Sequence, residues 1–121
     1  MAKKLLIVDD SPTELKLIID VFNSPDYKVV TAMDGEEGVE KAKKEHPDLI
    51  ILDVVMPKMN GFQACRTIKS MPELEKTPII LLTSKNQKSD EFWGKKQGAD
   101  KYLTKPFNAD ELQQAVDALL G

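Results

Sequence analysis

The sequence predicts an α/β domain in which a five-stranded parallel sheet is covered by helices on both faces. Five short segments have the apolar or β-branched character of strands, and helical segments with recognisable start signals lie between them. A length of 121 residues with 41% hydrophobic side chains suits one core. Strand and helix therefore alternate as a βα unit repeated five times. Right-handed crossovers turn that order into a doubly wound three-layer sandwich.

Four strands are predicted from continuous apolar runs at residues 5–8, 49–52, 79–82 and, more weakly, 102–103. Continuous apolarity, as opposed to alternation, is typical of parallel strands that are covered on both faces. The fifth candidate, residues 27–31, is more polar. We therefore expect it nearer an edge of the sheet.

The first helix is predicted from a cluster of start signals. Ser11 is a candidate N-cap, Pro12 suits the first helical turn, and Glu14 has the spacing of a capping-box residue. One face of the helix that follows would carry the apolar side chains of Leu15, Ile18, Ile19 and Phe22.

The remaining helices have similar signals. In two of them a cap residue is followed three positions later by a glutamate. These pairs are Asp34 with Glu37 and Asn108 with Glu111. These helices are predicted to end near residues 46 and 120. The other two span residues 61–70 and 87–97, and Gly98 is expected to stop the latter as a C-terminal cap.

Composition excludes several classes of function. The 17 basic and 20 acidic side chains give a net charge of −3 without a Lys/Arg cluster, which argues against direct nucleic-acid binding. The single cysteine, Cys65, cannot form an internal disulfide and is expected in the core. No apolar run approaches the ~18 residues of a membrane span, and residues 5–8 are too few for a signal-peptide core. We expect one cytoplasmic domain over residues 1–121.

Polar side chains leave the carboxyl ends of the buried strands. Strand one is followed by Asp9 and Asp10, strand three by Asp53, and strand four by Thr83, while Lys105 follows strand five. In a parallel sheet these ends share one edge, where doubly wound folds place their ligand sites. Three carboxylates would repel one another there unless cations lie among them. Lys105 supplies one positive charge, and Mg²⁺ is the natural candidate for the rest.

A carboxylate beside Mg²⁺, a lysine and a hydroxyl is suited to receiving a phosphoryl group. Asp53 is the predicted nucleophile because it stands alone after a central strand, whereas Asp9 and Asp10 are paired and suit a metal. Lys105 would neutralise charge on the phosphoryl oxygens, and Thr83 would donate a hydrogen bond to one of them. Taken singly, each aspartate could instead be a turn or cap residue.

The segments LLIVDDS, LIILDVVMPKMNGF, IILLTSK and YLTKPF resemble, in order and across nearly the whole chain, the receiver domain of two-component response regulators. The resemblance implies a flavodoxin-like fold with strand order 2-1-3-4-5 and Asp53 as the phosphoacceptor. It further implies that Asp10, Asp53 and the carbonyl of Val55 bind Mg²⁺ directly, with Asp9 acting largely through water. Tyr102 matches the aromatic switch residue of the family, and the Lys105–Pro106 bond its cis peptide.

The same resemblance implies a function and partners. A sensor histidine kinase would phosphorylate Asp53, and the domain would signal by docking on a downstream protein through a surface on the fourth and fifth helices and the last strand. No output domain is expected after the last helix. The stretch DEFWGKKQGADKYLTKPF looks most like stand-alone regulators of twitching motility and related taxis systems. We expect no external substrate, hence no enzyme, and a monomer or weak dimer.

Several alternatives remain open from the sequence. Trp93 could cover the flank of the fourth helix while Phe92 packs inward, or it could share a docking face with Tyr102.

Other functions also remain possible from the sequence. An aspartyl-phosphate hydrolase usually has a second aspartate where this chain has Val55. A flavodoxin-like cofactor binder would need a different loop after strand one. A degenerate receiver is disfavoured by the intact acceptor set. His46 is expected to be solvated or to cap the C-terminus of a helix, and Gly61 to relieve strain in the loop after Asp53.

Overall fold

The computed structural model describes residues 2–121, so that Met1, the first residue of the predicted domain, lies outside the described residues. Its ten elements alternate as predicted. The strands are β1 (Lys3–Val8), β2 (Tyr27–Ala32), β3 (Leu49–Leu52), β4 (Ile79–Thr83) and β5 (Lys101–Thr104). The helices are α1 (Pro12–Val21), α2 (Gly35–Glu45), α3 (Gly61–Lys69), α4 (Lys88–Lys96) and α5 (Ala109–Leu120).

All neighbouring strands are parallel, and the order across the sheet is β2-β1-β3-β4-β5. This confirms the predicted three-layer fold and its strand order. Val8 is in register with Ala32 on one side and Leu52 on the other, and Thr83 is in register with Thr104. The carboxyl ends of the strands therefore meet at one edge.

The sheet divides the apolar core into two layers. Leu5 and Ile7 of β1 pack with residues of α1 and α5, whereas Leu6 and Val8 pack with residues of α2 and α3. This alternation follows from the strand geometry, in which successive side chains point to opposite faces. Cys65 is fully buried in the second layer, as expected for a small core residue, and burial raises the pKa of its thiol to about 12.

The helix caps lie at the predicted residues, but not all of the predicted capping hydrogen bonds are formed. The hydroxyl of Ser11 accepts the backbone N–H of Glu14, as predicted for an N-cap. The reciprocal bond from a capping box is not formed, because the N–H of Ser11 donates instead to Asp9 Oδ1 at 2.9 Å. A reciprocal box that the sequence reading missed joins Asn60 and Gln63 at the start of α3.

The structure confirms the two predicted C-terminal signals, His46 and Gly98. His46 is exposed and adopts a left-handed conformation (φ 47°) as the C-cap of α2, and its backbone N–H donates to the carbonyl of Ala42. Gly98 also has a positive φ, of 103°, just after α4. Within residues 2–121, no helix is both long enough and apolar enough to cross a lipid bilayer.

Candidate functional site

The predicted site residues lie together at the carboxyl edge of the sheet. Asp9 directly follows β1 and Asp53 directly follows β3, and these two strands are neighbours. The chain after β1 enters α1 on one face of the sheet, whereas the chain after β3 enters α3 on the other. The crevice between them is therefore the switch point at which doubly wound folds bind ligands.

Three carboxylates converge in this crevice. Asp9, Asp10 and Asp53 each bring an oxygen to within 4.8 Å of the others. Asp9 and Asp53 are buried, with 1% and 8% of their surface exposed, while Asp10 is exposed. One buried edge thus carries a concentration of negative charge that must be compensated by cations or protons.

Lys105 supplies part of that compensation. Its ammonium donates to Asp9 Oδ2 at 2.7 Å and to Asp53 Oδ2 at 3.1 Å. Burial raises the pKa of Asp9 above its ordinary value, although Lys105 and the N–H of Ser11 act in the opposite direction. Burial alone would lower the pKa of Lys105, but the bond to Asp9 and the charge of Asp53 outweigh it and raise that pKa.

The donor set fits a divalent cation. Three carboxylates face one ammonium, which leaves an excess of negative charge, and all the side-chain donors are hard oxygens of the kind that Mg²⁺ prefers. Asp10, Asp53 and Asp9 are the side chains that could hold it. The fourth expected ligand, the carbonyl of Val55, belongs to the same loop, and the N–H of Val55 lies 3.4 Å from Asp53 Oδ1. Its role as a ligand stays a prediction.

The loop after β3 holds Asp53 from several sides. Asp53 Oδ1 accepts the N–H of Val54 at 2.6 Å, and its backbone N–H donates to the carbonyl of Val8 in β1. Gly61, the first residue of α3, packs directly on this loop and donates its N–H to the carbonyl of Val54. A Cβ at residue 61 would overlap the carbonyl oxygen of Asp53.

The predicted reason for Gly61 was therefore wrong. The residue with a positive φ in this loop is Lys58, at 69°, so Gly61 is not needed to relieve strain. It is needed because only a hydrogen atom fits between the start of α3 and the backbone of Asp53 and Val54. Sequence periodicity could not show this, because the contact joins two elements across eight residues.

Replacing Gly61 by alanine is expected to destabilise the fold by about 3 kcal/mol, because a new Cβ must push away backbone that packs rigidly. Gly38→Ala in α2 is the matched control, since its Cβ would meet only methyl groups of Val8 at 3.1 Å. Urea unfolding of both variants measures the difference. Equal midpoints for the two variants would contradict the packing argument.

Thr83 and Tyr102 extend the site away from the carboxylates. Thr83 is fully buried, and its hydroxyl oxygen accepts the N–H of Lys85 at 3.4 Å. Tyr102 is 8% exposed, and its hydroxyl donates to the carbonyl of Lys85 at 2.7 Å. Lys85 therefore contributes to these contacts through its backbone N–H and carbonyl, a role that the sequence pattern does not reveal. The Lys105–Pro106 peptide is cis, as the resemblance implied.

A family model for the response regulator receiver domain matches residues 5–117. The chain belongs to this family. The receiver domain is 42% identical over 118 residues to the protein PilH of Pseudomonas aeruginosa, with 98% of both chains covered. The resemblance stated from the sequence motifs is thereby confirmed.

Two solved structures are also similar to this receiver domain. The chemotaxis response regulator CheY4 of Vibrio cholerae has a TM-score of 0.91 and 34% identity, with 98% of this chain and 99% of that chain covered. The receiver domain of the sensor histidine kinase PA1611 from P. aeruginosa has a TM-score of 0.92 and 30% identity, with coverage of 100% and 99%. That structure has a magnesium ion coordinated in the active site cleft.

The aromatic pair of α4 differs from expectation. Phe92 was expected to pack inward in one interpretation, but it is 63% exposed, and Trp93 is 51% exposed. The inward position is taken by Gly94, the buried residue of this short helix. Phe92 lies about 200° around the helix from Gly94, because successive residues are ~100° apart.

Trp93 and Tyr102 lie on different flanks of α4. A groove between α4, β5 and α5 is lined by Lys88 and Glu91 together with Tyr102 and Glu111. The helical spacing puts Trp93 on the opposite flank from Lys88 and Glu91. That flank leads toward α3, where Gly98 packs against Lys69. A partner seated in the groove would therefore contact Tyr102, whereas Trp93 is not among the residues that line it.

Proposed function

We propose that this receiver domain is a phosphorylation-operated switch in a two-component phosphorelay. Asp53 accepts a phosphoryl group from a sensor histidine kinase in a Mg²⁺-dependent reaction. The observation that carries the proposal is the ammonium of Lys105, which lies between Asp9 and Asp53 while Asp10 completes the acidic cluster. Such a cluster positions a nucleophile and neutralises the charge of the incoming group, which are the main requirements of phosphoryl transfer.

The chemistry would be a direct displacement. An oxygen of Asp53 forms a bond to phosphorus as the P–N bond of a phosphohistidine breaks, and the bonding electron pair returns to the imidazole of the kinase. Asp53 Oδ1 is held by the N–H of Val54, and Oδ2 faces Lys105. Mg²⁺ held by Asp10, Asp53 and the Val55 carbonyl, with Asp9 acting through water, would neutralise charge on the phosphoryl oxygens.

The output would arise from the contacts that lead away from Asp53. A phosphoryl group on Asp53 offers oxygens to the hydroxyl of Thr83, which at present accepts from Lys85. Lys85 also accepts the hydroxyl of Tyr102, on the α4-β5-α5 face. Phosphorylation would therefore shift an existing equilibrium between arrangements of this face and change its affinity for a downstream protein.

Similarity to CheY4, which is named as a chemotaxis response regulator, supports a role in taxis, and the resemblance of residues 90–107 to regulators of twitching motility supports a role in surface motility. We propose that the receiver domain acts in the cytoplasm. We also propose that it is not an enzyme, because the phosphoryl group in the chemistry described is transferred to its own Asp53 and not to an external substrate. Asp53 would lose the phosphoryl group again by slow hydrolysis. The chain would thus cycle between two forms without converting an external substrate.

The kinase must approach the edge that holds Asp53, and an apolar groove of about 570 Å³ lies beside it. Leu17 of α1 is 51% exposed in this groove, and Pro106, its neighbour there, directly follows Lys105 in the chain. We propose that the helix bearing the phosphohistidine packs on this surface. The other lining residues are Glu14, Asp20, Val21, Phe107 and Ala109.

Leu17→Ala is expected to slow transfer from an autophosphorylated histidine kinase that phosphorylates the wild-type chain by about tenfold, because it removes apolar surface that docking would bury. Its reaction with acetyl phosphate should not change, since a small donor needs no docking surface. Phe92→Ala, which removes a larger exposed side chain from α4, is the control. If Leu17→Ala slowed phosphoryl transfer from the kinase and from acetyl phosphate equally, the groove would not be the docking surface of the kinase.

The experiment that tests the proposed function is incubation of the purified chain with acetyl phosphate and Mg²⁺, followed by intact mass spectrometry. We expect one added phosphoryl group, and none when the metal is chelated. A protein that stays unmodified under conditions in which another receiver domain is phosphorylated would overturn the proposal. A gain of several phosphoryl groups would also contradict it, because the site provides one acceptor.

A further inference from the structure

Helix α4 rests on the sheet through one small residue. Gly94 is the buried residue of this helix, whereas Phe92 and Trp93 are largely exposed. A Cβ built at residue 94 would lie 2.9 Å from Leu81 Cδ1 and 3.0 Å from Tyr102 Cδ1. Both distances are shorter than normal carbon–carbon contacts. The close approach of α4 to Leu81 and to the ring of Tyr102 therefore depends on the absence of a side chain at residue 94.

The ring of Tyr102 is also connected, through Lys85, to the hydroxyl of Thr83. The Tyr102 hydroxyl donates to the carbonyl of Lys85 at 2.7 Å, and the N–H of Lys85 lies 3.4 Å from Thr83 Oγ1. Lys85 thus links the end of β4, which carries Thr83, to a side chain from β5. The continuous series of contacts runs from Gly94 to Tyr102, then to Lys85 and Thr83.

We propose that Gly94 is a positioning residue for phosphorylation. By leaving space under α4, it holds the ring of Tyr102 in its buried position, and the Tyr102 hydroxyl then fixes Lys85 and the loop that carries Thr83. The inference deepens the proposed function and rests on it for the reaction that Thr83 assists. The placement of Tyr102 by Gly94 can be tested without that reaction.

The neighbours of Gly94 distinguish it from the other tightly packed glycines. At Gly35 and Gly61 a Cβ would overlap backbone atoms of Met59 and Asp53, which cannot move independently of the fold. At Gly94 the overlapped atoms belong to side chains, and the Tyr102 ring can rotate outward into the groove that it already lines. A side chain at residue 94 is therefore expected to move Tyr102 without unfolding the chain. Alanine also has a higher helix propensity than glycine, which favours the helical conformation at residue 94.

The first test follows the ring of Tyr102 directly. The chain has two tyrosines, so Tyr27→Phe leaves Tyr102 as the single site for 3-fluorotyrosine, and its ¹⁹F resonance and solvent-isotope shift report exposure. We expect a buried resonance that becomes solvent-exposed in Gly94→Ala. Gly38→Ala, a helical glycine that packs on Val8, should leave the resonance buried. An unchanged resonance in Gly94→Ala would mean that only the side chain of Leu81 moves to make room for the new Cβ. That result would overturn the proposal.

The second test measures the coupling to phosphorylation by acetyl phosphate with Mg²⁺. Gly94→Ala is expected to slow the reaction at least about threefold when Tyr102 is present, and to have little effect in a Tyr102→Ala background, because coupled residues are not additive. Equal slowing in both backgrounds would overturn the positioning role. If the wild-type chain takes up no phosphoryl group, the proposed function fails, and the fluorine measurement still decides whether Gly94 places Tyr102.

Discussion

Replacing Asp53 by asparagine is expected to abolish phosphoryl uptake from acetyl phosphate while leaving the fold intact. The amide keeps the shape of the side chain and an oxygen that can accept the N–H of Val54, as Asp53 Oδ1 does. It lacks the anionic oxygen that now faces Lys105 and that would attack phosphorus. Intact mass after incubation with Mg²⁺ and acetyl phosphate measures the loss.

The matched control is Asp48→Asn at the other end of β3. Asp48 accepts the backbone N–H of Lys4 at 2.7 Å and lies outside the acidic cluster. This variant should still gain one phosphoryl group. If Asp53→Asn retained the modification, the acceptor would be another residue, and the assignment from the strand ends would be wrong.

Asp53→Asn should also alter how stability depends on pH. The charge of Asp53 is one of the causes that raise the pKa of Asp9 in the folded chain. A carboxyl whose pKa is raised by folding lowers stability as pH rises from its unfolded pKa through its folded pKa. Burial is the main cause of the raised pKa of Asp9 and remains in the variant, so removing the charge of Asp53 is expected to make this loss of stability smaller as pH rises from about 3.8 through the folded pKa of Asp9.

Lys105→Met is expected to have the second largest effect, on both stability and reaction. Methionine fills similar space but leaves Asp9 and Asp53 without the ammonium that now contacts them at 2.7 and 3.1 Å. Removing one partner of a buried charge cluster costs roughly 3 kcal/mol of unfolding free energy at neutral pH. Phosphorylation should slow at least tenfold, about 1.4 kcal/mol in activation free energy.

The stability defect of Lys105→Met should shrink on acidification. Without the hydrogen bond and charge of Lys105, the pKa of Asp9 rises further, and protonation then removes the buried negative charge. In the wild type, the raised pKa of Lys105 means that its own contribution is complete below the unfolded pKa of about 10.5 and is lost as pH rises through the folded pKa. Urea titrations across pH measure both trends.

Lys69→Met is the control for loss of a half-buried lysine elsewhere. Lys69 donates to Asp100 at 3.0 Å and to the carbonyls of Glu75 and Thr77, far from the acidic cluster along the sheet. It should lose stability but keep normal phosphorylation. If the two lysine variants slowed the reaction equally, the effect of Lys105→Met would reflect stability alone.

The order of elements and the location of the site could be predicted because their signals are local. The apolar run of β3 ends at Leu52, and Asp53 follows at once, so the strand pattern itself points to the edge where the carboxylates meet. Cap residues such as Asp34 and Asn108 bond to backbone only three positions away. Such interactions are contained in a few consecutive residues.

The remaining features depend on contacts that the periodic pattern of a single element does not encode. The N–H of Ser11 bonds to Asp9 because the loop after β1 folds back, and this removes the capping-box partner of Glu14. Phe92 is exposed because α4 approaches the sheet through Gly94, which no hydrophobic pattern reveals. The fit of Gly61 against Asp53 is likewise a property of packing. Periodicity describes one element at a time, so it cannot predict these contacts.

The two ends of β3 carry aspartates in opposite energetic situations. Asp48 is satisfied by a backbone donor, and at the same rim Asp100 accepts both Lys69 and the N–H of Ile79. Asp53 instead shares its lysine with a second buried acid. A mutational scan for thermal tolerance should therefore separate the two rims. Neutral replacement of Asp48 or Asp100 would remove an accepted hydrogen bond and lower the thermal midpoint, whereas neutral replacement of Asp53 would relieve its repulsion with Asp9 and keep or raise it.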